Sequence, residues 1–90
     1  MQLNRAELAK AFRVSLNTIN AWVIRGLPMQ SPGGRGVASR FVWKDVERWA
    51  YMYKTWPGHA EPDYVIGAAY WRAIDIVKLR NKRSKRNTRP

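Results

Sequence analysis

"SLNTINAWVIRGLPMQSPGGRGVASR", residues 15–40, contains two segments whose order decides the fold. The first half has helical spacing. Ser15 is placed to cap a helix, with Thr18 at its third position, and Ile19, Trp22 and Val23 make one apolar stripe. Gly26 can take the left-handed conformation that stops the helix, and Pro28 prevents its resumption. In the second half, Pro32, Gly33, Gly34 and Gly36 exclude helix. Phe41, Val42 and Trp43 favour a strand, with Met29–Gln30 as its partner across the glycine-rich loop. A β-hairpin is therefore expected, carrying Arg35 at its tip and Arg40 at the base of the returning strand.

Outward from this stretch, more helices are announced. Asn4 and Glu7 stand at capping-box spacing, and Leu8, Ala9 and Phe12 recur at helical intervals. The connection Arg13-Val14 is tight, so two short helices joined by about three residues form a helix-turn-helix unit. After the hairpin, "KDVERWAYMY" places Val46, Trp49, Ala50 and Tyr53 at i, i+3, i+4 and i+7. The prolines and glycine of "TWPGHAEPD", residues 55–63, mark a break. Asp63 is the expected cap of a last helix, residues 64–82, whose apolar stripe runs through Val65/Ile66, Ala69/Tyr70, Ala73 and Ile76/Val77. The expected class is mainly α with a small β-hairpin: a winged helix-turn-helix over 1–54, a linker over 55–63, a C-terminal helix, and a basic disordered tail over 83–90. The stripe can fold back on the same domain or pair with a second copy; with the linker setting the helix apart, pairing is the favoured expectation.

Composition narrows the partners. Ninety residues suit one domain, and five Trp, four Tyr and two Phe supply a compact core. With no cysteine, disulfides and thiolate metal sites are excluded, which is compatible with a reducing cytoplasm. No apolar run approaches eighteen residues and the amino terminus has no apolar signal segment, so no membrane association is expected. Seventeen Lys and Arg against six Asp and Glu give +11. Seven of the basic residues fall between Lys78 and Pro90 with no acid among them, leaving +4 for residues 1–77. Such an excess points to a polyanion, double-stranded DNA above all, with the tail neutralising phosphates.

Chemistry within the helix agrees. A helix in a major groove needs short side chains outward and a polar start whose free backbone N–H groups meet phosphates. With Ile19, Trp22 and Val23 turned inward, Asn17, Asn20 and Ala21 face out from the polar start at Ser15, and Leu16 and Thr18 flank them. An Asn amide can pair with adenine, and Leu16 or Ala21 can meet a thymine methyl. Arg25, Arg35, Arg40 and the tail residues Lys82, Arg83, Lys85 and Arg86 are expected on phosphates. An amide-rich surface helix and a glycine-rich linker are the plainer readings of the same residues. Trp22 and Trp49 are expected in the core; Trp43 and Trp56 are candidates for half-exposed positions against the last helix. His59, the only histidine, lacks companion ligands, and the six acids form no catalytic pair. No enzyme, metal or other cofactor is expected.

Residues 3–53 resemble the amino-terminal domain of the lambda-type phage terminase small subunit. The shared pattern is Leu8-Ala9, Phe12, Ser15, Thr18-Ile19, Trp22, Gly26 and Pro28, then Gly33-Gly34-Arg35-Gly36, Val46 and Trp49. The resemblance implies a winged-helix homodimer or higher homo-oligomer in the host cytoplasm. Such a protein binds viral DNA and hands it to the terminase large subunit, an ATPase and nuclease, for packaging. Phage excisionases and MerR-type regulators share this arrangement of helix-turn-helix, wing and "V..W". From another class, an adaptor using its basic end on an acidic protein also fits the charge.

Overall fold

The computed structural model describes residues 1–31, 33, 39–53 and 61–87, the side chains of Tyr53 and of residues 83–87 excepted. In chain order the elements are β1 (Gln2–Leu3), α1 (Arg5–Phe12), α2 (Leu16–Ile24), β2 (Phe41–Val42), α3 (Trp43–Tyr53) and α4 (Pro62–Asn87). The described fold is mainly helical with one small two-stranded antiparallel sheet.

The helix ends follow their local chemistry. Asn4 and Glu7 form the full capping box at the start of α1: the Asn4 Oδ1 accepts from the Glu7 N–H at 2.8 Å, and Glu7 Oε1 accepts from the Asn4 N–H at 2.9 Å. Arg13 ends α1 in the left-handed region at φ 56°, and Val14 N–H returns to the Ala9 carbonyl at 3.0 Å. The residues between α1 and α2 are thus bound in a tight reversal. Ser15 Oγ caps α2 by accepting from Thr18 N–H at 3.1 Å. At its far end, Gly26 N–H reaches the Val23 carbonyl and Leu27 N–H the Trp22 carbonyl, each at 3.0 Å, with Gly26 at φ 114°. This paired closure requires a residue that tolerates positive φ, and it tucks Leu27 into the core.

The strands differ from expectation. Phe41–Val42 pairs with Gln2–Leu3, in the register Gln2 to Val42 and Leu3 to Phe41, rather than with Met29–Gln30. Gln30 and Ser31 meet the returning chain one residue earlier, through backbone hydrogen bonds to Arg40. Burial of Leu3 and Phe41 explains the choice, because the β1 pairing puts both side chains into the core. Trp43 opens α3 instead of extending the strand.

Aromatic contacts hold the centre. Phe12 meets Trp22 edge-on at 5.3 Å between ring centroids and stacks on Trp43 at 5.7 Å; Trp22 meets Trp49 at 5.8 Å. Trp22 and Trp49 are buried as expected, and so is Trp43, which is not half-exposed but touches Tyr70 of α4 at 5.8 Å. Trp56 and His59 lie outside the described residues.

The last helix departs most from its expected bounds and use. It starts at Pro62, with Glu61 rather than Asp63 before its first residue, and proline at the first helical position loses no needed N–H. Its backbone stays helical through residues 83–87, which were expected in a disordered tail; Lys and Arg are good helix formers and suit a helix C-terminus. The stripe expected to meet a second copy packs on this same chain: Ile66, Ala69 and Ala73 are buried, and Ile76 and Val77 lie against the core. The alanines let two helices approach closely. Arg72 Nη1 donates to the Ala11 carbonyl at the end of α1, whereas Arg80 reaches Glu7 and the Gln2 carbonyl at its beginning, so α4 runs antiparallel to α1. On its opposite side, Tyr64 and Trp71 are exposed.

Candidate nucleic-acid interface

Packing of Ile19 and Trp22 against the core decides which side of α2 faces water. Asn17, Asn20, Ala21 and Ile24, at i, i+3, i+4 and i+7, make the opposite face. Asn17, Ala21 and Ile24 are exposed, Ile24 to 86%. Leu16 is exposed beside them, Thr18 is half-buried, and Arg25 is exposed where the helix ends. Ser15 and Thr18 hydroxyls bond each other at 3.0 Å, leaving the first turn of α2 capped yet open to solvent.

Asn20 does not stand free as expected. It is half-buried, and its Oδ1 accepts a hydrogen bond from Arg5 Nη1. Arg5 also donates from Nε to Ser39 Oγ at 3.0 Å and from Nη2 to Met29 Sδ at 3.7 Å. One guanidinium therefore joins the start of α1, the middle of α2 and both chain segments at the base of the expected hairpin. Sequence reasoning missed Arg5. Its signal was a cation in the first turn of a helix, where the dipole disfavours it unless the side chain has a partner elsewhere. Ile24 was also missed, although it lies off the Ile19–Trp22–Val23 stripe.

Beside this junction, an open cleft of about 310 Å³ is lined by Gln2, Asn4, Glu7, Ser39, Arg40 and Arg80, among others. Arg40 is exposed there, and Ser39 belongs to both the cleft and the Arg5 cluster. Arg80 forms a 2.9 Å ion pair with Glu7, so this basic residue already has an acidic partner. Lys82 is exposed about half a turn further along α4, which leaves the body of the protein at the same end of α1 as Arg5. The structure thus brings Asn17, Asn20 and Ala21 onto one face and joins that face to the segment containing Arg40. Arg35, with Gly34 and Gly36, lies outside the described residues, as do the side chains of Arg83, Lys85 and Arg86.

Among the described residues, no group of three or more His, Asp or Glu is placed to hold a metal ion, and no helix is long and apolar enough to cross a membrane. The sequence matches no protein-family model and no curated protein.

Proposed function

We propose that this chain is a non-catalytic DNA-recognition protein of the winged helix-turn-helix kind, acting as the small subunit of a phage terminase in the host cytoplasm. In this reading it binds viral duplex DNA and delivers it to the large ATPase and nuclease subunit. The observation that carries the reading is the face of α2. Two short amides, an alanine and an almost fully exposed isoleucine stand together on a capped helix, beside a basic hairpin base. Amides suit base edges, Ala21, Ile24 and Leu16 suit thymine methyls, and the open first turn suits a phosphate. Arg25 at the end of α2, Arg40 and Lys82 are exposed cations available to phosphates. The outer side of α4, with Tyr64 and Trp71, is the surface assigned to a second copy, since the inner stripe is occupied by α1.

Titration against duplex DNA at several salt concentrations tests this. Affinity is expected to fall linearly on logarithmic axes as salt rises. Removing residues 83–90 should make that slope shallower by about 0.9 for each phosphate those residues neutralise. Affinity indifferent to salt, or no binding to duplex, overturns the reading. Capture of a large terminase subunit by the DNA-bound chain separates packaging from excision or regulation.

A further inference from the structure

No residue from Ser15 to Ile24 carries a charge, although Lys, Arg, Asp and Glu make up 26% of the chain. Exposed arginines bracket the helix instead, Arg13 before it and Arg25 after it. The outer face of a surface helix ordinarily carries charged side chains, and here it carries Asn17, Ala21 and Ile24. Seven residues, or nearly two turns, separate Asn17 from Ile24, so both lie on the line directly opposite Ile19 and Trp22. Ile24 is the most exposed large apolar side chain among the described residues. A single exposed isoleucine is ordinary; one at the centre of a helix face without charge is not. Among the described residues, no hydrogen bond engages the Asn17 amide.

From this we infer that Ile24 is a specificity-determining residue that reads the C5-methyl of one thymine, beside an adenine read by Asn17, so that the DNA site carries A·T pairs at both positions. The inference rests on the DNA-binding reading above and names the bases it selects. The floor of the major groove presents uncharged donors and acceptors, and its one apolar group is the thymine methyl. Set against N4 of cytosine or O6 of guanine, an isoleucine strips water from a polar group and returns no hydrogen bond. Set against the methyl, it removes apolar surface from water on both sides. Asn17 has both ends of its amide for N6 and N7 of adenine. The two residues stand about 10 Å apart along the helix axis, and base pairs rise about 3.4 Å each, so the thymine falls about three pairs from the adenine. Ala21 lies between them and holds the helix no farther from the bases than a methyl does. Arg13 and Arg25, at the two ends, suit the phosphates that border the groove.

Duplexes selected from a randomised library by the full chain supply the probe. Each thymine of the selected site is replaced in turn by deoxyuridine, which removes the methyl and keeps the base pair. Wild type is expected to lose about fourfold in affinity at the thymine Ile24 reads, the worth of one buried methyl group. Ile24→Ala should bind the thymine and uracil duplexes alike at that position; the side chain stands in solvent, so the variant keeps the fold, as circular dichroism checks. Asn17→Ala should relax an adenine preference of about tenfold, about three pairs away, and leave the uracil effect in place. Binding indifferent to every uracil substitution, uracil effects that all persist in Ile24→Ala, or an Asn17-dependent position other than adenine overturns the inference while duplex binding stands. No binding to any duplex overturns the functional reading and this inference with it.

Discussion

Arg72 of α4 donates a 2.7 Å hydrogen bond from Nη1 to the backbone carbonyl of Ala11, in the last turn of α1. That carbonyl belongs to the set a helix leaves unpaired at its C-terminus, so one charged side chain both closes α1 and anchors α4. A second arginine, Arg80, ties the other end of α1 through Glu7, but its side chain is 43% exposed. The two ties therefore differ in strength. Arg72→Ala should cost about 1.5–3 kcal/mol in urea unfolding, the range for a hydrogen bond involving a charge. Arg80→Ala should cost at most about 1 kcal/mol, shrinking as salt is added. A larger loss from Arg80 would show that α4 is held mainly from its C-terminal half.

Trp22 touches both Phe12 and Trp49, and so connects α2 to α1 and to α3. Trp22→Ala should lower stability by about 3–5 kcal/mol, which is much of what a domain this small possesses. Thermal melting followed by near-ultraviolet circular dichroism checks it; a loss under about 1 kcal/mol would mean that the aromatic cluster is not the core's centre.

Two glycines should respond to alanine with opposite signs. Gly26 sits at φ 114°, where an L side chain is strained, so Gly26→Ala should destabilise by about 1–3 kcal/mol. Gly67 lies inside α4 with open space where a Cβ would go. Gly67→Ala should raise stability by about 0.5–1 kcal/mol through helix propensity alone. Denaturant midpoints moving in the same direction for both variants would contradict these assignments.

The Asp63 carboxylate of α4 acts on the exposed Tyr51 hydroxyl of α3, favouring its protonated form and raising the phenol's pKa above its ordinary 10.0. The folded value exceeds the unfolded one, so the contribution to stability is complete below about pH 10 and is lost as pH rises through the folded pKa. In an absorbance titration, Asp63→Asn should bring one tyrosine down toward its ordinary range. Superimposable curves for variant and wild type would show that Asp63 does not act on Tyr51 in solution.

The ends of the first helices were legible in the residues because caps are local. Asn4 with Glu7, Ser15 with Thr18, and Gly26 each satisfy backbone groups within a few positions along the chain, whatever the rest of the protein does. The interior places of Trp22 and Trp49 followed from their spacing, since an apolar stripe has to be covered by something. What covers it is not local. Only the folded chain decided that Phe41–Val42 takes Gln2–Leu3 as its partner, because two-residue strands are chosen by where Leu3 and Phe41 find burial. Likewise, the stripe of α4 is equally suited to a second copy or to α1, and Arg72 and Arg80 tip that choice toward α1 from 61 and 73 residues along the chain. The same holds at the candidate interface. Periodicity alone put Asn20 on the outer side of its helix, but the hydrogen bond on its Oδ1 comes from Arg5, fifteen residues earlier. Short-range hydrogen bonding is written into neighbouring residues, whereas long-range pairing is a competition among surfaces that exist only once the chain has closed.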